Sequence, residues 1–252
     1  LARAAQRGAE AAGRSVETLI DDRLRSLDDA ARDLLGWAAA MGGPLRPDLL
    51  ASAAGLPVAE VLARLERFEQ RGLVRPAGPG RFDFAHDVVR QVVYRALSQP
   101  RRQAIHRQFA RALGAASADD PWLHGEIVRH AGLANDPLGA ARACLAAGAH
   151  CLRVFANGEA SAVADQGLAH VAELASGAER VRLEIGLLSL RVAAAAGPGG
   201  RRLPALAERI EAAILAAEAL ALHAEAAEGW QILSFWRQQA SDIGRTREAM
   251  LA

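Results

Sequence analysis

Hydrophobic positions recur every three or four residues along most of this chain and alternate in only one place, which predicts a chain of helices interrupted by a single hairpin. Residues 1–15 have a weak pattern and read as a lead-in. From there Val16, Leu19, Ile20, Leu24 and Leu27 share one side of a helix, with Ser15 and Thr18 placed to cap it. Asp28 or Asp29 opens a second helix that Gly42-Gly43-Pro44 ends. A short helix with Pro47 in its first turn runs to Gly55. Pro57 opens the next, in which Val58, Val61, Leu62, Leu65 and Phe68 form the expected buried stripe and Gly72 the stop. Then Leu73–Pro76, the turn Ala77-Gly78-Pro79-Gly80 and the alternating Arg81-Phe82-Asp83-Phe84 read as two short strands. A helix with Val88, Val89, Val92, Val93, Ala96 and Leu97 on its apolar face follows, and another after Pro100 carries Ile105, Phe109 and Leu113. Valine is a poor helix former, so packing has to stabilise the first of these.

Helices followed by a two-stranded wing predict a winged helix over 16–97, and a basic connecting helix over 98–117. Over 118–252 nothing reads as strand. Helical segments at about 122–133, 137–155, 159–175, 178–196, 203–223 and 225–240 are separated by Asn-Asp-Pro, Asn-Gly, Ser-Gly and Gly-Pro-Gly-Gly breaks. Pairs of helices of that length predict an α-solenoid of tetratricopeptide-like helical pairs. The expected fold class is therefore mainly all-α.

Composition supports helices packed closely. The chain is 51% hydrophobic but only 4% aromatic, and much of the apolar content is alanine. All 30 basic residues are arginine, a bias of the kind GC-rich bacterial genomes produce. The net charge of +1 is unevenly spread: seven arginines (81, 90, 95, 101, 102, 107 and 111) face only Asp83 and Asp87 between Arg81 and Ala112, whereas 113–252 has 12 arginines against 16 acids. The two cysteines, Cys144 and Cys151, are seven apart in one helical pattern, roughly 10 Å along its axis. They read as small core residues of a protein in a reducing, cytoplasmic compartment. No apolar run approaches the ~20 residues of a membrane span, and no signal peptide is evident. The chain opens on Leu1 and stops within a helical pattern, as expected of a piece of a longer protein.

Catalytic motifs are not found. With no lysine, the chain cannot hold a GxxxxGK[ST] phosphate loop, and it has neither G-x-S-x-G nor HExxH. His124 and His130, six apart, have a poor spacing for two metal ligands on one helix face. Asp21-Asp22 and Asp28-Asp29 are explained by capping and solvated faces, and Trp230 and Trp236 by packing. The helix over 57–71 holds Arg64, Arg67 and Arg71 against Glu60, Glu66 and Glu69, net zero. Phosphate contacts supply much of the affinity for DNA, so a neutral helix in the recognition position argues against direct DNA binding.

The run Phe84-x-His86-x3-Arg90-x3-Tyr94-x2-Leu97 resembles the winged-helix end of bacterial STAND-type signalling ATPases, among them large LuxR-type transcriptional regulators and the ATPases linked to class III nucleotidyl cyclases. The flanks resemble them too: Leu19–Gly42 their post-ATPase lead helix and first winged-helix helix, and 140–171 their first tetratricopeptide-like repeat. The resemblance covers roughly 16–175. Ala85-His86-Asp87 also stands where the wider superfamily has Met-His-Asp, with alanine replacing methionine. The resemblance implies that His86 contacts the phosphate of ADP or ATP in the parent protein, with Asp87 beside it. A helix opening favours phosphate chemically, and Asp87 could orient the imidazole. In the other reading His86 only caps its helix and bonds a wing carbonyl. The expected function is a non-catalytic regulatory region, with no cofactor of its own. Its expected partners are an upstream nucleotide-binding domain of the same chain and an effector or protein partner on the helical repeats. The alternatives are a DNA-binding winged-helix regulator with a helical oligomerisation domain, and a stand-alone peptide- or ligand-binding α-solenoid.

Overall fold

A computed structural model describes residues 23–116, 123–195 and 204–251. The predicted capping by Ser15 and Thr18, the stripe positions 16, 19 and 20, and the 197–200 glycine break lie outside these residues. The structure is mostly helical, with one small antiparallel sheet of two strands. The chain divides into two compact units, one ending at Ala112 and one beginning at Leu113.

The first unit runs through α1 (Asp29–Met41), α2 (Pro47–Ala54), α3 (Val58–Gln70), β1 (Val74–Pro76), β2 (Phe82–Phe84), α4 (Asp87–Ala96) and most of α5 (Gln99–Ala116). Of the two candidate caps, Asp28 is used: its Oδ1 accepts the Ala31 N–H at 2.7 Å. Gly42, at φ 82°, ends α1 in the left-handed region that a side chain resists. β1 and β2 pair Val74 with Phe84 and Pro76 with Phe82. Leu45 adds a further rung: its N–H donates to the Phe82 carbonyl at 2.6 Å and its carbonyl accepts from Phe82 at 3.1 Å. That rung ties the α1–α2 connection to the hairpin. Leu34, Leu35, Leu45, Leu50, Val61, Leu65, Phe68 and Leu73 are fully buried around it. Trp37 meets Phe109 edge to face at 5.8 Å, and Leu97 lies against Gly36.

The helical stripes are narrower than expected. On α3, Val61, Leu65 and Phe68 are buried but Val58, in the first turn, is 45% exposed. On α4, Val89 and Val93 are buried, Val88 and Val92 are half-buried and Ala96 is exposed. A helix end has neighbours on fewer sides, so the periodic pattern outlasts the packing. α5 starts at Gln99, one residue before Pro100, which the first turn tolerates because its missing N–H would have no partner there.

The second unit consists of α6 (His124–Leu133), α7 (Pro137–Arg153), α8 (Asn157–Ala172), α9 (Ala178–Ala195), α10 (Pro204–Ala219) and α11 (His223–Leu251). Within it, consecutive helices pack together, and α7 also packs on α9 and α9 on α11. Three of the connections are the same tight turn. Asn135, Phe155 and Ala221 adopt φ of 53°, 59° and 55°. The next residue's N–H reaches back to Ala131, Cys151 and Ala217 at 3.0, 2.9 and 2.9 Å. This is a Schellman-type stop that usually takes glycine. Since Phe155 and Ala221 do not advertise it, the α7–α8 turn falls before Asn157-Gly158 rather than on them, and α11 begins at His223 and continues well past 240.

Small residues set the spacing of these helices. A methyl group on Gly167 would lie 2.6 Å from Leu187 Cδ2 and 2.8 Å from Cys144 Cβ; on Gly148, 2.7 Å from Leu190 Cδ1; on Gly229, 2.5 Å from Ile214 Cγ1. Ala140, Ala141, Ala160 and Ala164 are fully buried at the same contacts. Arginine–carboxylate pairs then bridge the helices: Arg142 to Glu179, Arg182 to Glu225, Arg191 to Asp165 and Arg209 to Glu184, at 2.7–3.0 Å. The first two are solvent-exposed and contribute modestly to stability, while the Arg191 and Arg209 pairs are part-buried. Trp230, expected to pack, is 48% exposed, its indole N–H donating to Glu218 at 3.2 Å.

Two outcomes follow. Gly167→Val forces overlap with Leu187 and the Cys144 Cβ and should destabilise by about 1–3 kcal/mol in urea unfolding, whereas Gly158→Ala, with open space around it, should be neutral or slightly stabilising. Burial pushes the Cys144 thiol up to about 12. At pH 8 almost none of it is thiolate. Half-exposed Cys151 should therefore react with a thiol reagent in the native protein and Cys144 only after unfolding, as mass spectrometry of the labelled chain would show.

Candidate functional site

The residues from Phe84 to Leu97 form the join between hairpin and helix. Phe84 is buried, ending β2, and the Ala85 N–H donates to the Leu73 carbonyl at 3.0 Å, extending the ladder by one residue. The chain then turns at His86, whose extended backbone (φ −142°, ψ 138°) makes it the N-cap of α4. An N-cap residue usually bonds the first-turn N–H groups with its side chain. His86 does not: its imidazole is exposed and makes no capping bond. Its carbonyl accepts the Val89 N–H at 3.0 Å. His86 thus occupies the capping position without making a side-chain cap, and leaves an imidazole at the positive end of a helix.

Asp87 does not orient that imidazole. Its Oδ1 accepts from Arg90 Nε at 2.8 Å and from the same guanidinium's Nη2 at 2.7 Å, and its Oδ2 accepts from Gln91. The Arg90 bond, then the Gln91 bond, hold its carboxyl below the usual carboxylate range. The carboxylate is therefore charged and committed along its own helix, one turn away from where the imidazole could use it.

Continuing along the motif, Tyr94 leads to His106, which the sequence pattern left unremarked, and to Arg102. Its hydroxyl shares a hydrogen bond of 2.9 Å with His106 Nε2, and the two rings meet edge to face at 5.9 Å. His106 is 1% exposed. The Arg102 guanidinium lies over the Tyr94 ring at 4.8 Å and donates to the Arg95 carbonyl at 2.7 Å. This polar cluster joins α4 to α5 across the break at Leu97-Ser98. Tyr94 and His106 are 12 residues apart on different helices, so no single helical period links them. The available signal was a histidine among the apolar positions Ile105, Phe109 and Leu113.

Among the described residues no group of three potential ligands is placed to hold a metal ion, and no helix is long and apolar enough to cross a membrane. His130 is buried and bonded to the Arg129 guanidinium at 2.8 Å, while His124 stacks on His150 with ring centres 6.5 Å apart. Comparison with protein-family models, with curated proteins and with solved structures finds no match to this chain.

The weight of the cluster is measurable. Tyr94→Phe keeps the ring beneath Arg102 but removes the hydroxyl from buried His106, and should cost about 1–2 kcal/mol in urea unfolding. Tyr94→Leu removes the ring as well and should cost more, the difference isolating the aromatic contacts.

Proposed function

We propose that this chain is the non-catalytic regulatory region of a STAND-type signalling ATPase of the bacterial cytoplasm. Its first unit is a winged helix that relays nucleotide state, and its second a tetratricopeptide-like array that receives an effector or protein partner, in signal transduction or transcription regulation. The observation that carries this reading is the exposed His86 imidazole at the unobstructed start of α4, where it is available to a phosphate held by another domain. The Leu45–Phe82 rung supports the winged-helix part, since it bridges the connection between the first and second helices to the hairpin. The repeated turn, and the packing of helices on next-but-one neighbours, support the repeat array. The chain has no phosphate-binding loop of its own, so nucleotide binding and hydrolysis belong to an upstream domain.

Sequencing the gene ahead of the Leu1 codon tests the proposal: a GxxxxGK[ST] loop is expected there. With that domain attached, His86→Ala should speed release of ADP, while the present chain alone should not bind ADP in calorimetry. No such loop upstream, or micromolar binding of ADP by the isolated chain, would overturn it.

A further inference from the structure

Helix α3 is neutral as a whole, yet its charges are segregated. At 3.6 residues per turn, positions 60, 64, 67 and 71 fall on one stripe and positions 66 and 69 on the opposite side. The stripe lines a cleft of about 250 Å³ that is closed on its other side by the opening turn of α1, at Asp28 and Ala30. Both acids in the cleft are already engaged. Glu60 accepts from Arg64, and Asp28 accepts the Ala31 N–H at 2.7 Å. Arg64 is held further by the Ala30 carbonyl at 2.7 Å. Arg67 and Arg71, one turn apart, are exposed and have no ion-pair or side-chain hydrogen-bond partner among the described residues. The cleft therefore presents two guanidinium groups without a side-chain partner beside a third that is locked in place, and with Asp28 still charged at its edge it is net positive by one.

We propose that this cleft binds a phosphate group, gripped by Arg67 and Arg71. A carboxylate brings one negative charge, which leaves one of the two arginine charges unmatched. A phosphate offers oxygens to both, and a doubly charged monoester matches their combined charge. The site is separate from His86 and does not depend on the role proposed for it. Its phosphate can come from a small phosphorylated molecule or from a nucleic-acid backbone. The helix that looks neutral in sequence would then contact phosphate through one face only.

The test uses the whole chain and two probes. Inorganic phosphate is titrated against chloride at matched ionic strength with thermal unfolding as the readout, and labelled duplex DNA is titrated by fluorescence anisotropy. Phosphate should raise the melting temperature beyond chloride. Arg67→Gln with Arg71→Gln should weaken binding at least about tenfold, the loss expected for one charge-assisted contact. Glu66→Gln with Glu69→Gln, on the opposite side, should not weaken it. Arg67→Lys with Arg71→Lys keeps the charge but loses the forks and should fall between. DNA binding with the same dependence on Arg67 and Arg71 would assign the phosphate to a nucleic-acid backbone, and a response to inorganic phosphate alone would assign it to a small molecule. A phosphate effect equal to that of chloride, or one unchanged in a folded glutamine double variant, would overturn the proposal.

Discussion

How closely two helices can approach is decided by what stands between their backbones, and in the second unit that is very little. Gly148, Gly167 and Gly229 each sit where a single added methyl would overlap a leucine, isoleucine or cysteine of the neighbouring helix. Buried alanines occupy the rest of these contacts. The consequence is that Leu187 and Leu190 of α9 are buried against the glycines of α8 and α7 without large aromatic residues to fill the gaps. Every other feature of the unit follows from that spacing: the short turns, the arginine–carboxylate bridges that can reach from helix to helix, and the packing of α9 on both α7 and α11.

The first unit is organised differently. There a few larger side chains, Phe68, Phe84 and Phe109, and the rungs linking Leu45, β2 and β1 bring helices and a hairpin together. Its polar chemistry is sorted by helix geometry rather than by net charge. Asp87 is tied to Arg90 one turn ahead, which leaves His86 without its expected companion. On α3 the same sorting places three arginines in one cleft and two glutamates behind it. In both cases the residues that matter chemically are those whose neighbours have not already used them.

Much of this was legible in the chain. Glycine and proline stops, the alternation at Phe82 and Phe84 and the three-to-four-residue period placed nearly every described helix and the hairpin, and His86 was correctly expected at a helix opening. The misplacements have one physical origin. Turns at Phe155 and Ala221 use the left-handed backbone without glycine, so nothing local marks them. Likewise Val58, Ala96 and Trp230 obey the apolar period but lie where no neighbouring helix covers them. The Tyr94–His106–Arg102 cluster was invisible for the complementary reason: it is assembled across a helix break, and each residue taken singly looks ordinary.

By itself, then, the sequence determined the class of structure: mainly helical, one hairpin, small residues for close packing, and no phosphate loop to carry nucleotide chemistry. Those properties are local or compositional, and they are written in the spacing and size of side chains. Tertiary structure alone decided which charges remained available. It buried His106 against Tyr94 and left His86, Arg67 and Arg71 facing outward, whereas the Asp87–Arg90 pair, three residues apart on one helix, is a local spacing. Availability depends on partners brought in from other turns and other helices, and that pairing has no signature in the order of the residues.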